Sequence, residues 1–475
     1  MICQPVFFSN LGFFNLINDE IMRKLTGFLM IFLAVILHSC KESGPEWQHL
    51  FNGSDLTGFV QRNGDALFEV QDSMIIGTTV WGTPNSFLCT EQNFSDFILE
   101  LDFKLLNDMN SGIQIRSLSL DEYQDGRVHG YQVEIDPSDR AFTGGIYDEA
   151  RRGWLYPLND DANADARKAY KKDEWNRIRV EAIGKNISTW VNDIPVANLT
   201  DDLTAEGFIA LQVHSITDSS AIGHKIMWKN IRILTGDLDQ YRQETTAPAI
   251  SFLVNELTDY EIAEGWKLLF DGTSTTGWRK AYADEFPDHG WKVENGELTV
   301  LPSGGAESQN GGDIVTEDEY SGFDLRLQVK YTRGANSGIK YFVTEAEEGN
   351  TMSAIGLEYQ VLDDFVHPDA KLGNHEGSRT LASLYDLIRA ENKRRNEVGQ
   401  WNNVRILSKG NHVEHWLNGF KVLEYERRSD EFRKLVSESK YKVWPDFGEA
   451  DSGHILLQDH GDEVSFRSIK IKVLD

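Results

Sequence analysis

Polar side chains recur on one face of several strands that the alternation of this sequence predicts. In YQVEID, apolar residues at every second position predict a core-facing side, which leaves Gln132, Glu134 and Asp136 on the opposite side. In FIALQVH, Gln212 and His214 share a face by the same rule. Carboxylate, amide and imidazole groups on one surface can transfer protons and hold hydroxyl groups. The pattern therefore fits a concave surface that binds a polyhydroxy ligand, and it also fits an ordinary polar outer face.

The chain carries this arrangement twice. WQHLFNGSDLTGF is followed later by WKLLFDGTSTTGW, and the pairing continues through NSGIQ and NSGIK, GYQVEI and GLEYQV, IYD and LYD, LQVH and LQDH. In the second copy, Glu358 and Gln360 share a strand face, as do Gln458 and His460. A repeat of about 200 residues is a duplicated domain, not a solenoid unit.

Short alternating runs between turn signals dominate both copies, as in FILELDFKL, GIQIRS and RIRVEA. Helical periodicity is scarce, with one short helix predicted in DEFRKLVSES and another from Ser251. We therefore predict an all-β chain of two tandem β-sandwich or jelly-roll domains. The first domain is expected over residues 46–235 and the second over 264–475, with residues 236–263 as a linker.

The composition restricts the partners. The 475 residues include 75 acidic and 47 basic side chains, for a net charge of −28. This balance argues against a nucleic-acid partner and against an anionic membrane surface. The 12 Trp and 15 Tyr residues suit core packing and also stacking on sugar rings.

The N-terminal region has the pattern of an export signal. Two basic residues precede an uncharged apolar run that ends in LHSC at Cys40, and the run is shorter than a typical membrane span. LHSC resembles a bacterial lipobox, which implies lipidation of Cys40 and a signal region over residues 1–40, with Met22 as an alternative start. We expect an exported protein anchored by lipid to the cell envelope, on its periplasmic or its outer face.

Together the motifs resemble those of the 3-keto-disaccharide hydrolase domain family. In the second copy they are GWKLLFDGTSTTGW, NSGIKYF, EYQVLDD, SLYDL, WNNVRI and GHILLQDHGDEVSFRSIKI. The first copy resembles another branch through NSFLCT, GGIYDEARRGWL and WNRIRVEA. The resemblance covers Trp47 to Asp475. It implies a concanavalin A-like lectin/glucanase sandwich and cleavage of glycosides whose sugar carries a ketone at C3.

Such a ketone makes the C2 proton acidic. A base could remove that proton, donors could hold the enolate oxygen, and an acid could assist departure of the C1 glycosidic oxygen. The candidate acids and bases are Glu134, Asp136, His214, Glu358, Asp363 and His460. The candidate substrate-binding residues are Asn110, Gln114, Arg116, Gln132, Tyr147, Arg151, Arg152, Gln212, Asn336, Lys340, Gln360, His367, Tyr385 and Gln458.

The spacing of the candidates does not identify the base, and the Gln-x-Glu order of the first copy is Glu-x-Gln in the second. The two sites are therefore expected to have diverged. No cofactor is evident. HPDAK at His367 offers an imidazole and a carboxylate for a divalent metal, but no Cys or HxH pattern supports one, so no metal ligand is assigned.

Two other functions fit the sequence. Glu134-Ile135-Asp136 resembles the start of the nucleophile strand in two-carboxylate glycoside hydrolases, but Asp139 follows instead of a suitably placed glutamate. A non-catalytic carbohydrate-binding lipoprotein would also expose amides and aromatic rings. Turnover of keto and unoxidised glycosides separates these alternatives.

Overall fold

The computed structural model describes residues 44–304, 307–348, 351–444 and 446–474. Cys40 and the signal region expected before it lie outside the described residues. Residues Gln48–Asp475 form one compact unit, which is nearly all β. No helix in the described part of the chain is long and apolar enough to cross a membrane.

The first half of this unit contains 16 strands among its described residues. They are β1 (Gln48–His49), β2 (Phe59–Asn63), β3 (Leu67–Gln71), β4 (Met74–Thr78), β5 (Ser86–Phe94), β6 (Phe97–Leu105), β7 (Ser111–Leu118), β8 (His129–Ile135), β9 (Ile146–Glu149), β10 (Gly153–Tyr156), β11 (Asn176–Ile183), β12 (Asn186–Val191), β13 (Ile194–Thr200), β14 (Gly207–Val213), β15 (Lys225–Leu234) and β16 (Ala249–Ser251).

The second half continues the numbering. Its strands are β17 (Trp266–Leu268), β18 (Trp278–Lys280), β19 (Trp291–Glu294), β20 (Glu297–Val300), β21 (Ile314–Thr316), β22 (Phe323–Tyr331), β23 (Asn336–Glu348), β24 (Thr351–Leu362), β25 (Asn402–Lys409), β26 (His412–Leu417), β27 (Phe420–Glu426), β28 (His454–Leu457) and β29 (Val464–Val473). The α-helices are α1 (Asp259–Ala263) and α2 (Asp430–Glu438).

Each half is a sandwich of two sheets. In the first sandwich one sheet has the order β16-β13-β12-β11-β6-β15-β4-β3, with β1 beside β15, and the other has the order β10-β9-β8-β7-β14-β5-β2. In the second sandwich the orders are β19-β20-β29-β22-β25-β26-β27, with β17 beside β29, and β18-β21-β28-β23-β24. Each pair of sheets shares one hydrophobic core. The prediction of an all-β chain with two tandem sandwiches is confirmed.

Strand β6 shows how alternation builds the core. Leu99, Leu101 and Phe103 are fully buried between the sheets, where each contributes roughly 1.5–3 kcal/mol by leaving water. The other face carries Glu100, whose Oε1 accepts a hydrogen bond from Arg179 Nη1 at 2.7 Å. The outer face of this strand is therefore covered by ion pairs and contributes no residue to a cleft.

A β-bulge interrupts the same strand in both sandwiches. Strands β7 and β23 each contain a register shift, at which Arg116 has a φ of 45° and Phe342 a φ of 52°. The neighbouring strands approach there so closely that a Cβ on Gly207 or Gly453 would lie 2.5 or 2.4 Å from a carbonyl carbon of the bulge. Glycine is therefore required opposite each bulge, and the bulge breaks the simple alternation of side chains.

The segment between the sandwiches is bound to both. Strand β16 pairs in parallel with β13 of the first sandwich. On the other side, Asn255 Oδ1 accepts the Ser468 N–H at 2.7 Å, and its Nδ2 donates to the Gly296 carbonyl at 2.8 Å. The predicted helix from Ser251 is wrong, because that residue ends β16 and α1 begins at Asp259. The helix predicted in DEFRKLVSES is present as α2.

Candidate functional site

A cleft of about 580 Å³ opens on the sheet that contains β23 and β24 in the second sandwich. Lys340 on β23 and Glu358 on β24 form part of its wall. Asp313 contributes from the start of β21, Gln458 from the end of β28, and Lys440 from the 3₁₀-helix that follows α2. Strand ends and one inserted segment thus bring five polar groups to a single cleft.

Lys340 and Glu358 lie directly opposite each other on adjacent strands. Glu358 is 5% exposed, and no hydrogen bond from the described residues engages its carboxylate. Burial raises the pKa of Glu358 above its usual value, although Lys340, Lys440 and His460 oppose this rise. A carboxylate of raised pKa on a cleft wall has the basicity that a general base needs.

Charges of both signs surround this pair. Lys340 Nζ lies 3.8 Å from Asp313 Oδ2. Burial acts to lower the pKa of Lys340, but the carboxylates of Asp313, Glu358 and Glu307 outweigh it and raise that pKa. Burial lowers the pKa of Lys440 and raises the pKa of Asp313. The cleft therefore combines the positive charge of Lys340 with a second carboxyl group, that of Asp313, which keeps its proton to a higher pH than usual.

Further predicted residues of the second copy lie beside this cleft. His460 Nε2 is 3.2 Å from Asn336 Nδ2 and 3.8 Å from Glu307 Oε2. Gln360 Nε2 donates to Asn336 Oδ1 at 3.3 Å. The Oε1 atom of Gln458 is buried and has no hydrogen-bond partner among the described residues. His460, Asn336 and Gln360 therefore form one connected polar group, which the side chain of Gln458 does not join.

The equivalent residues of the first sandwich form an amide network, in which Gln212 Oε1 is buried and has no partner among the described residues. Gln132 Oε1 accepts hydrogen bonds from Gln114 Nε2 at 2.6 Å and from Gln212 Nε2 at 2.8 Å. Gln132 Nε2 donates to Glu134 Oε2 at 2.9 Å, and Asn110 Nδ2 donates to Glu134 Oε1 at 2.5 Å. A ligand at this place would have to replace hydrogen bonds that the protein already makes.

The carboxylates of the first sandwich are also engaged. Burial raises the pKa of Glu134 to about 7, against the two amides that donate to it. Asp136 Oδ2 accepts from Arg140 Nε at 2.7 Å, and Arg140 lies 3.5 Å from Glu134. Burial, followed by the charges of Glu149 and Glu134, raises the pKa of Tyr147, which stacks edge-on against a Trp ring. The predicted polar residues of the first sandwich do lie together, but they bind one another inside the protein and do not line an open cleft.

The two predicted histidines have different surroundings. His214 is half-buried, and its Nδ1 lies 2.7 Å from the Ser215 carbonyl oxygen. Its charge acts on Glu149, whose pKa burial raises while Arg127 and His214 oppose the rise. Among the described contacts, no hydrogen bond joins His214 to Glu134 or His460 to Glu358, but the charge of His460 opposes the rise in the pKa of Glu358.

Arg116 requires a correction. Strand alternation placed it beside Gln114, but the bulge turns its side chain elsewhere. It is 1% exposed, and its guanidinium donates to the Ser95 and Gly184 carbonyls and to Asp96 Oδ1 at 2.6, 2.8 and 2.9 Å. Arg116 therefore ties loops together and does not join the Gln114 cluster.

Arg151 and Arg152 are likewise committed inside the protein. Both donate to the fully buried carboxylate of Asp148, at 2.7 and 2.6 Å. Arg152 also pairs with Asp201 at 2.7 Å, and Asp201 accepts the hydroxyl of Tyr131. The expected contact of this arginine pair with a sugar is replaced by a buried ion-pair network.

Asp363 and His367 support a loop. The two oxygens of Asp363 accept backbone N–H groups at 2.9 and 3.2 Å, so in the structure this carboxylate stabilises turns. His367 Nδ1 accepts the Asp369 N–H at the start of a 3₁₀-helix at 3.2 Å. Tyr385 OH donates to Asp369 Oδ2 at 2.9 Å. None of these three side chains contributes to the cleft wall as described.

Sequence reasoning missed Asp313 and Lys440. Neither lies in a motif shared by the two copies, and Lys440 lies in a segment between β27 and β28 that the first copy lacks. The extra length of the second copy was the available signal for Lys440. An insertion between two strands often reaches the surface on which the ends of those strands lie.

A group with metal-ligating side chains occurs elsewhere among the described residues. His412, Glu414 and Glu424 bring ligand atoms within 4.8 Å of one another on the β26–β27 hairpin. Lys421 Nζ lies 3.2 Å from Glu414 and 2.7 Å from Glu424. The ammonium group neutralises these carboxylates, so the arrangement is explained by ion pairs.

Comparison with known proteins identifies the class that this fold and cleft represent. Residues 46–234 and 265–472 each match the 3-keto-alpha-glucoside-1,2-lyase-like domain. The chain belongs to this family of carbohydrate-active proteins, so the resemblance drawn from the motifs is confirmed.

The chain is also similar to individual proteins. The chain is 38% identical over 233 residues to a 3-keto-disaccharide hydrolase of Bacteroides thetaiotaomicron, a match that covers 45% of this chain and 80% of the relative. A proposed glycosyl hydrolase of Parabacteroides distasonis is 33% identical, over 47% of this chain and all of that protein, with a TM-score of 0.42. A second from that organism is 28% identical, over 44% and 99%, with a TM-score of 0.34.

Proposed function

We propose that the cleft of the second sandwich cleaves 3-keto-glycosides by elimination across C1 and C2. The observation that carries this proposal is Glu358, a buried carboxylate that lines an open cleft, is free of described hydrogen bonds and lies opposite a half-buried lysine. The 38% identity to a 3-keto-disaccharide hydrolase supports a keto sugar as the substrate.

In the first step Glu358 removes the C2 proton. The electron pair of the C2–H bond moves into the C2–C3 bond, and the ketone oxygen becomes an enolate oxygen. Lys340 and Lys440 supply positive charge in the same cleft to stabilise that oxygen. Fixed charges are most effective where water is excluded, and Lys340, which is half-buried, is the more enclosed of the two because Lys440 is exposed.

In the second step the enolate re-forms the ketone, a C1–C2 double bond appears, and the C1–O bond breaks. Asp313 is suited to protonate the departing glycosidic oxygen, because burial raises its pKa and it lines the cleft. Release at this stage gives an unsaturated keto sugar. Addition of water across the C1–C2 double bond instead gives the free 3-keto sugar, so one cleft serves lyase and hydrolase outcomes.

The experiment compares a 3-keto-glucoside with the matching unoxidised glucoside in D₂O. We expect release of the leaving group from the keto sugar alone, with deuterium at C2 of any hydrated product. The Glu358→Gln variant, incubated with free 3-keto-glucose, controls for spontaneous exchange at C2. Equal turnover of both glucosides without deuterium at C2 would indicate a two-carboxylate hydrolase, and binding without turnover would indicate a carbohydrate-binding protein.

We also propose that Cys40 carries a lipid that anchors the protein to the cell envelope. The support is the basic, apolar and LHSC sequence pattern alone. Metabolic labelling with a radioactive fatty acid should mark the wild-type chain, and Cys40→Ala should move the protein from the membrane fraction to the soluble fraction. An unlabelled wild-type chain would refute the anchor without affecting the proposed chemistry.

A further inference from the structure

Tyr282, in the wall of the Glu358 cleft, has an unfavourable backbone conformation. Its φ is 63°, in the left-handed region that bulky residues rarely adopt. Of the aromatic residues that the structure describes, Tyr282 and Phe342 alone have a positive φ, and Phe342 belongs to the bulge of β23. The conformation of Tyr282 therefore needs an explanation that the bulge does not supply.

The first sandwich has the same conformation at the equivalent position, but with a residue that suits it. The repeat aligns Phe59 with Trp278, and four residues later Asn63 also has a φ of 63°. Asparagine enters the left-handed region more readily than tyrosine does. The side chain of Asn63 also accepts the Val128 N–H at 2.8 Å. The duplicated backbone thus favours asparagine, yet the sandwich with the open cleft has Tyr282 there, and unfavourable conformations of this kind cluster at functional sites.

An ion pair holds Tyr282 in place. Glu345 accepts the Tyr282 N–H through Oε1, and its two oxygens accept hydrogen bonds from Arg279 Nη1 and Nη2, each at 2.9 Å. Glu345 lies in the part of β23 that extends beyond the length of β7. The longer hairpin of the second sandwich therefore supplies the group that fixes this turn.

The turn lies between Asp313 and β24. The Ala281 N–H donates to the Asp313 carbonyl at 2.9 Å. Glu345, which holds the Tyr282 N–H, pairs in register with Ala354 of β24. Ala281 and Ala354 also pack against the same small hydrophobic cluster. Tyr282 therefore lies between the carboxyl group proposed to protonate the glycosidic oxygen and the Ala354 end of the cleft.

The cleft has room for more than the sugar that reacts. Glu358, Gly356 and Ala354 lie on one face of β24, because alternate residues share a face, and all three line the cleft. Four residues of a strand span about 13 Å, which is more than the width of one pyranose ring. Gly356 and Ala354 carry little or no side chain, so space remains beside Tyr282. A leaving group attached to the oxygen that Asp313 protonates would extend into this space.

We propose that Tyr282 forms the leaving-group subsite of the Glu358 cleft and selects glycosides whose leaving group contains a ring. The inference rests on the proposed elimination across C1 and C2. A pyranose or an aryl ring can pack its apolar face on the tyrosine ring, whereas a methyl group offers far less area. Tyr282 is a specificity-determining residue and takes no part in proton transfer.

The test compares kcat/KM of the full chain for three substrates of one anomeric configuration: a methyl 3-keto-glucoside, a phenyl 3-keto-glucoside and a 3-keto-disaccharide. The measured quantity is the ratio of each ring-bearing substrate to the methyl substrate. Differences in the reactivity of the leaving groups cancel when these ratios are compared between variants. Tyr282→Asn should lower at least one ratio about tenfold and leave turnover of the methyl substrate within about twofold. Its stability to denaturant should equal or exceed that of the wild type, because asparagine suits the backbone.

Two further variants complete the test. Tyr282→Phe should keep the wild-type ratios, because it keeps the ring. Tyr260→Asn makes the same change at an exposed position outside the cleft and is the matched control. If Tyr282→Asn does not fold, Tyr282→Gly replaces it, since glycine also adopts the left-handed region.

The outcomes separate this inference from the proposed function. A loss confined to the phenyl substrate would identify an aryl leaving group, and a loss confined to the disaccharide would identify a second sugar. Unchanged ratios in the asparagine and glycine variants would overturn the subsite alone, as would equal losses for all three substrates or a Tyr282→Phe variant as impaired as Tyr282→Asn. A wild-type chain that cleaves none of the three substrates would refute the proposed function and the subsite together.

Discussion

In the first sandwich Gln132 lies opposite Gln114 on adjacent strands, whereas in the second sandwich Glu358 lies opposite Lys340 at the same place. Two residues further along the strand the carboxylate and the amide are exchanged: Glu134 in the first sandwich and Gln360 in the second lie opposite equivalent glycines. The same pair of strands therefore presents a carboxylate at two different positions. In the first sandwich amides cover it, and in the second it faces the cleft.

This difference shows how a duplicated scaffold can separate stability from chemistry. Neutral amides that donate to one another and to Glu134 make a buried polar network that adds order, although Gln212 Oε1 has no partner among the described residues. A half-buried lysine opposite a buried glutamate is a less effective way to stabilise a sandwich, because desolvation offsets much of the attraction. Its presence beside an open cleft is better explained by reactivity than by stability.

The comparison predicts its largest effect at the two glutamates. Glu358→Gln should lower kcat/KM for a 3-keto-glucoside roughly 1000-fold, the scale of losing a general base. Glu134→Gln should change it less than about threefold, because the amide network lies outside the proposed reaction. Steady-state kinetics of both variants checks this. The reverse pattern would move the active site to the first sandwich.

A smaller loss of activity is expected when Lys340 of the second sandwich is replaced by glutamine, the residue at the equivalent position of the first sandwich. Lys340→Gln should lower kcat about 100-fold with a modest change in KM, because the lost charge acts on the enolate and less on the bound substrate. Lys409→Gln, at an exposed position on β25, is the matched control. Equal kinetics for the two variants would show that Lys340 is structural.

The first sandwich should show its own pH dependence. Burial raises the pKa of Glu134 to about 7 in the folded protein, against an ordinary value of 4.5. Between these values the folded state holds a proton that the unfolded state has released, so stability is greatest below about pH 4.5 and falls as the pH rises to 7. The fall should total about 3 kcal/mol in chemical denaturation. A Glu134→Gln variant with the same slope would assign the effect to another group.

The smallest effect on activity is expected at Arg116. Arg116→Lys should leave KM within about twofold and lower the free energy of unfolding by about 1–2 kcal/mol, because lysine cannot replace the three-way contact of the guanidinium. Kinetics and denaturation of one preparation measure both. An unchanged stability with a raised KM would return Arg116 to the substrate site.

Alternation predicted the strands and the shared polar faces well, because core burial imposes a period of two on every strand of a sandwich. It placed Gln132 and Glu134 on one strand face, where the two side chains are hydrogen-bonded. It failed at Arg116, because a bulge with positive φ reverses the side chain and leaves no mark in a run such as GIQIRS.

Other features depended on contacts distant in sequence. The carboxylate partners of Arg151 and Arg152 include Asp201, and no spacing rule links them. Asp313 and Lys440 reach the cleft from segments outside the repeated motifs. The openness of the Glu358 site and the closure of the Glu134 site were also invisible in the sequence, since both strands carry one amide and one carboxylate.

Strand β16 has a consequence for synthesis of the chain. It covers the edge of β13, yet it comes from the segment after the first sandwich. During translation this sheet keeps an open edge until residue 251 has left the ribosome. A recombinant first half that ends at residue 235 would keep that edge permanently and would be prone to edge-to-edge aggregation. Expression of this half alone should therefore extend through Phe252, whose N–H also bonds to the Thr200 carbonyl.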